Sequence, residues 1–211
     1  MFDALFTTTT EYKKLSHALS GKGACALFGL PASGRAQVYA ALCRQLDKPL
    51  CIVTPGEAEA TRFAADLNTL GIPAAVFPAR DYVLRPIEGT AREYEYRRLA
   101  VLGELVGGRL RAVAVPAEAL TQFTTPKEDF CANTRTLHAG DTLLRDDLLA
   151  ALFGAGYTRR AQVDGPGQFS VRGDIVDIFA PDQKMPVRME FWGDEIDTLH
   201  TFDPVSYTHL T

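Results

Sequence analysis

Gly167-Gln168-Phe169-Ser170-Val171-Arg172-Gly173-Asp174-Ile175-Val176-Asp177-Ile178-Phe179-Ala180-Pro181 reads as two short strands around a glycine turn. Polar and apolar residues alternate from Gln168 to Arg172, the period of a half-buried strand. The pair Gly173-Asp174 suits a tight hairpin connection. The same character continues outward. Further strands are predicted over 160–163, 187–191 and 196–202. One helix is predicted over 145–155, carrying Leu148, Leu149, Leu152 and Phe153. This part of the chain is therefore expected to be a small α+β unit, mostly antiparallel.

Upstream of Thr124-Thr125-Pro126 the pattern changes, and the domain boundary is placed there, at 125/126. Apolar runs at 24–28, 50–54, 74–77 and 112–115 read as buried parallel strands. Helices are predicted between them over 37–46, 57–70 and 92–106. Gly71 stands where a C-terminal helix cap is expected, and Gly107-Gly108 ends the last helix. Strands separated by helices of this length imply an α/β fold with a parallel, doubly wound sheet.

Composition sets outer limits. The chain has 211 residues, 46% hydrophobic and 23% charged, with a net charge of -4. That balance argues against a nucleic-acid-binding surface over the whole molecule. No apolar run approaches the roughly 18 residues of a membrane span. Met1-Phe2-Asp3-Ala4 lacks the basic start of a signal peptide, so a cytoplasmic location is expected. The four cysteines, Cys25, Cys43, Cys51 and Cys131, form no C-x-x-C pair and read as buried reduced thiols. The four histidines are scattered, and no metal site is expected. Glu190, Asp194, Glu195 and Asp197 read as a solvated acidic face. Arg92, Arg97 and Arg98, interleaved with Glu93 and Glu95, read as a salt-bridged surface helix.

Gly29-Leu30-Pro31-Ala32-Ser33-Gly34-Arg35-Ala36 has the glycine spacing of a phosphate loop, G-x-x-x-x-G-K-[ST]. The chemistry is missing. Arg35 stands at the lysine position, and its planar fork does not replace a compact ammonium. Ala36 stands at the hydroxyl position and cannot ligate magnesium. Gly29, Gly34, Arg35 and Ala36 are therefore read as a degenerate, non-functional phosphate loop. No catalytic residue and no cofactor are assigned to this chain.

The hairpin quoted first is followed by Pro186-Val187-Arg188-Met189-Glu190-Phe191-Trp192-Gly193-Asp194-Glu195-Ile196-Asp197 and then Thr201-Phe202-Asp203-Pro204. Together these resemble the F-x-V-R-G-x-I-x-D-I-F … R-x-E-F-x-x-D-E-I-x-x-x-x-x-F-D pattern. That pattern marks the small inserted domain shared by the excinuclease component UvrB and the bacterial transcription-repair coupling factors. The degraded phosphate loop points within this group to the coupling factors (Mfd). So does the short segment 78–91, with Tyr82 its only aromatic residue.

The resemblance implies a degenerate phosphate-loop NTPase-like domain over 1–125, similar to domain 1a of UvrB. It implies an inserted docking domain over 126–204. The implied function is recruitment of the excinuclease component UvrA to stalled RNA polymerase in transcription-coupled nucleotide excision repair. RNA polymerase and duplex DNA are expected to be contacted by other domains of a longer parent. There too ATP and magnesium would serve an ATP-dependent translocase motor, and a C-terminal domain is expected to mask the docking surface. The alternative is a fragment of UvrB with residual ATP and DNA binding. Carried over residue by residue, the docking surface is expected at Arg172, at Arg159 or its neighbour Arg160, and at Phe169. Residues 205–211 resemble a translated sequencing adapter, so the natural sequence is expected to end at Pro204.

Overall fold

The computed structural model describes residues 7–21, 24–46, 48–80 and 90–204; for residues 32, 33 and 90–92 the backbone alone is described. The N-terminal tetrapeptide, Tyr82 and the tail 205–211 lie outside the described residues. The chain divides into two compact units. The first comprises Met1–Tyr94 with Val101–Thr124, and the second Glu95–Ala100 with Thr125–Thr211.

In the first unit, β1 (Leu50–Thr54), β2 (Ala74–Val76) and β3 (Ala112–Pro116) form a parallel sheet in the order β1-β3-β2. β3 is central and buried along its whole length, as its unbroken Ala-Val-Ala-Val run requires. One face packs on α3 (Glu57–Thr69), where Ala60, Phe63, Ala64 and Leu67 meet Ile52, Ala112 and Ala114. The opposite face sets Val113 and Val115 against Phe77, Val101 and Leu105, the last two from α4 (Thr90–Val106). Gly71 has φ of 74°, and the N–H of Ile72 reaches back to Leu67 O, closing α3 as a left-handed cap does.

Among the described residues, two further helices precede β1. In α1 (Thr10–Ser20) Tyr12 packs on Val38 and Leu42 of α2 (Ala32–Gln45). Arg111 holds the end of α2, its Nη2 donating to Cys43 O at 2.6 Å and also to Leu46 O. The short α5 (Ala117–Leu120) follows β3.

In the second unit, α6 (Lys127–Ala132) and α7 (Arg145–Gly154) precede a five-stranded sheet. Its strands are β4 (Thr158–Arg159), β5 (Gln168–Arg172), β6 (Ile175–Phe179), β7 (Val187–Trp192) and β8 (Glu195–Thr201), in sequence order. All neighbours are antiparallel except β4 with β5. Leu148 and Leu152 of α7 pack on Phe169, Val176, Met189, Phe191 and Ile196. A second cluster of Val163, Phe179 and Phe202 stands apart from this core.

Several expectations need correction. Residues 24–28 are not a strand: they are irregular and exposed, with Phe28 88% accessible. An apolar run becomes a strand only when a neighbour takes its N–H and C=O groups, and these residues enter no sheet. Cys25 is consequently exposed; Cys51, within the formed strand β1, and Cys131 are exposed as well, and only Cys43 is buried. The helix expected from 37 begins at Ala32. The strand expected over 160–163 lies earlier, at Thr158–Arg159. Arg98 is buried, so α4 is not a uniformly solvated face. Three short helices, α1, α5 and α6, are not predicted by the sequence pattern.

Candidate functional site: the β5–β6 hairpin

Alternation decides what β5 shows on each side. Phe169 and Val171 pack towards α7. Ser170 and Arg172 face the other way. The register then sets Ser170 opposite Asp177 and Asp177 opposite Arg188, one row across three strands. Arg172 lies one pair along, opposite Ile175, and reaches diagonally back to Asp177.

Asp177 is the hub of this row. Its side chain is fully enclosed. Oδ1 accepts from Arg188 Nε at 2.7 Å. Oδ2 accepts from Arg172 Nη2 at 2.8 Å, Arg188 Nη2 at 3.0 Å and Ser170 Oγ at 3.3 Å. A buried carboxylate is tolerated only with such a set of donors. Burial pushes the Asp177 carboxyl up. The hydrogen bonds and charges of Arg188 and Arg172 outweigh that push and hold it below the usual carboxylate range. Arg188 is largely enclosed, and its guanidinium lies 4.9 Å from the centre of the Phe202 ring.

Arg172 adds a second positive charge to this row. Arg172 carries it to the surface, with 47% of its side chain accessible. The turn beside it is also held. Gly173 has φ of 61°, a conformation that glycine adopts without strain. Arg145, opening α7, donates through Nη1 to Gly173 O at 2.9 Å and Asp174 Oδ1 at 3.3 Å. An anchored, half-exposed guanidinium on a rigid turn can clamp a carboxylate of a partner.

The other expected docking residues fare differently. Phe169 is completely buried and meets the Phe153 ring edge-on at 5.1 Å, so it is a core residue and not a docking residue. Arg159 and Arg160 are both exposed. Arg159 is aligned with Phe169. Arg160, one residue beyond β4, donates its N–H to Phe169 O. Glu190 is half-buried, whereas Asp194, Glu195 and Asp197 are exposed.

Asp177, Ser170 and Arg188 are not among the residues singled out from sequence. A signal is there: a lone carboxylate inside Ile175-Val176-Asp177-Ile178-Phe179 must find a cation or leave the core. Trp192, 83% accessible at the end of β7, is also absent from the expected set.

The corner at 29–36 differs from a phosphate cradle in its winding. Gly29 has φ of 82°, but α2 starts at Ala32. The N–H groups of Gly34 and Arg35 both donate to Pro31 O, at 3.0 and 3.2 Å. A cradle directs such groups towards the ligand. Arg35 is exposed, 3.8 Å from Glu59, and Ala36 is buried.

Comparison with known proteins agrees with this geometry. Residues 136–211, which hold the whole five-stranded sheet, match the model of the UvrB interaction domain family. A transcription-repair-coupling factor of Mycobacterium tuberculosis is 38% identical over 180 residues, covering 82% of this chain and 14% of its own length. The transcription-repair-coupling factor of Bacillus subtilis is 29% identical over 179 residues, 84% of this chain and 15% of its own. The UvrABC system protein B of Burkholderia mallei is 29% identical over 196 residues, 85% of this chain and 28% of its own. This chain thus spans well under a third of the length of these relatives. The second unit of the chain belongs to the UvrB interaction domain family.

Proposed function

We propose that this chain is the N-terminal region of a transcription-repair coupling factor and that its second unit docks the excinuclease component UvrA. Docking would recruit UvrA to stalled RNA polymerase in nucleotide excision repair. The carrying observation is Arg172: half-exposed, pinned to Asp177 at 2.8 Å, and set on a turn of the matched domain. Arginines held in this way are frequent interface hot spots. Arg160, exposed just beyond β4, is the second contact on this reading. Purified UvrA titrated with the chain should show affinity about tenfold or more weaker for Arg172→Ala, as loss of a hot spot predicts. Equal affinity would remove Arg172 from the interface.

The first unit is read as a phosphate-loop-type domain that has lost its nucleotide site. On this reading the chain is not itself an enzyme and takes no cofactor. ATP, magnesium, RNA polymerase and duplex DNA belong to other parts of the parent protein, which acts in the cytoplasm. The likeness to UvrABC system protein B keeps one rival in view, a residual nucleotide site. Titration with labelled ATP and magnesium decides between them. Saturable micromolar binding would favour the rival; its absence supports the coupling-factor reading.

A further inference from the structure

We infer that Asp177 is a positioning residue for docking: its buried carboxylate holds the Arg172 guanidinium in the orientation that a partner carboxylate meets. This rests on the reading of Arg172 as a docking residue and adds to it a residue that cannot touch the partner.

Three observations carry the inference. The first is access. The Asp177 side chain has no exposed surface, whereas 47% of the Arg172 side chain is exposed. Any influence of Asp177 on a partner must pass through a neighbour. The second is the division of its oxygens. Arg188 takes both, with Nε on Oδ1 and Nη2 on Oδ2, so one cation already pairs with the carboxylate. Arg172 adds a second cation through Nη2 on Oδ2. The core carboxylate is paired without Arg172, and the added arginine brings its charge to the surface. The third is rigidity. Arginine carries large rotamer entropy, and a side chain already held in its bound orientation loses less on docking. The Arg172 backbone is fixed by pairing with Ile175, and the adjoining turn is fixed by Arg145. Asp177 fixes the far end of the same side chain.

The partner chemistry follows. Arg172 brings a guanidinium from this row to the surface. It suits an exposed aspartate or glutamate of UvrA, a planar acceptor that two N–H groups can grip.

A double-mutant cycle tests the inference on the full chain, with purified UvrA as the probe. Asp177→Asn keeps the size of the side chain and removes its charge. In the unmodified background it should weaken UvrA binding about fivefold, within the range of coupled neighbours. In the Arg172→Ala background it should cost nothing further. The same loss in both backgrounds would mean that Asp177 acts on the fold and not through Arg172, which overturns the inference while leaving the docking reading intact. No loss in either background would also overturn it. If Arg172→Ala itself binds as well as the unmodified chain, both the docking reading and the inference fall. A second readout needs no substitution. An Arg172 guanidinium held by Asp177 rotates slowly about its Cζ–Nε bond, so its terminal N–H protons should give separate NMR signals. Averaged signals would overturn the inference even if Asp177→Asn does not fold.

Discussion

Arg35 follows Gly34 and Arg172 precedes Gly173, and the two side chains are almost equally exposed, at 49% and 47%. Their anchoring separates them. Arg35 has a distant, partly exposed partner in Glu59 at 3.8 Å, an ion pair of little worth. Arg172 is bonded at 2.8 Å to a carboxylate with no access to water. Around Arg35 the backbone N–H groups turn inward into α2. Around Arg172 every neighbour in the row is paired through Asp177. Exposure alone therefore says little about which surface arginine is built to bind. The contacts that hold its stem and head say more.

Removing the hub gives the largest expected effect. Asp177→Ala leaves the enclosed Arg188 guanidinium without its carboxylate. Breaking a buried pair in this way costs about 3–5 kcal/mol, so the urea midpoint of the second unit should fall steeply. A change at Arg35 should alter stability by no more than about 0.5 kcal/mol.

Next comes Gly167→Ala. Gly167 has φ of 74°, and a side chain there would run into the Tyr96 ring. Strained left-handed backbone costs about 1–3 kcal/mol, readable as a lower melting temperature. A loss no larger than this backbone cost would show that the Tyr96 ring swings away freely.

Acid provides a milder test. The Asp177 value is depressed in the folded state, so its contribution is full at neutral pH. It is lost only as pH falls below the ordinary carboxylate range, through the depressed value. Urea midpoints at pH 7 and pH 3 should differ less for Asp177→Asn than for the unmodified chain.

The smallest effect is expected at the other corner. Arg35→Lys combined with Ala36→Thr restores the motif in writing. The N–H groups of Gly34 and Arg35 would still be used by Pro31 O. Labelled ATP should bind no better than to the unmodified chain. A gain of saturable binding would show that the side chains, and not the winding of α2, close the site.

Much of the fold is legible in the sequence where a segment carries its own period. Strands β5 and β6 fall where Gln168 to Phe179 alternate and turn, and α3 follows its stripe of Phe63 and Leu67. The site is legible in part. Arg172 comes from the pattern around it, whereas Phe169 is misplaced by sequence because a lone aromatic in a strand does not declare its face. Its direction is set by α7, whose Phe153 stacks on it. The segment 24–28 misleads for a related reason, since its apolar run is that of a strand but no neighbour accepts its hydrogen bonds.

By itself the sequence determined the alternating α/β first part, the hairpin around Gly173-Asp174 and the loss of lysine and hydroxyl at Arg35 and Ala36, because each is written in neighbouring residues. Only the tertiary structure decided that α2 winds from Ala32, that Phe169 is core, and that Ser170, Asp177 and Arg188 share a row with Arg172 beside it. Those outcomes depend on register and burial. Both are properties of segments brought together from afar: Arg188 lies eleven positions from the carboxylate it neutralises.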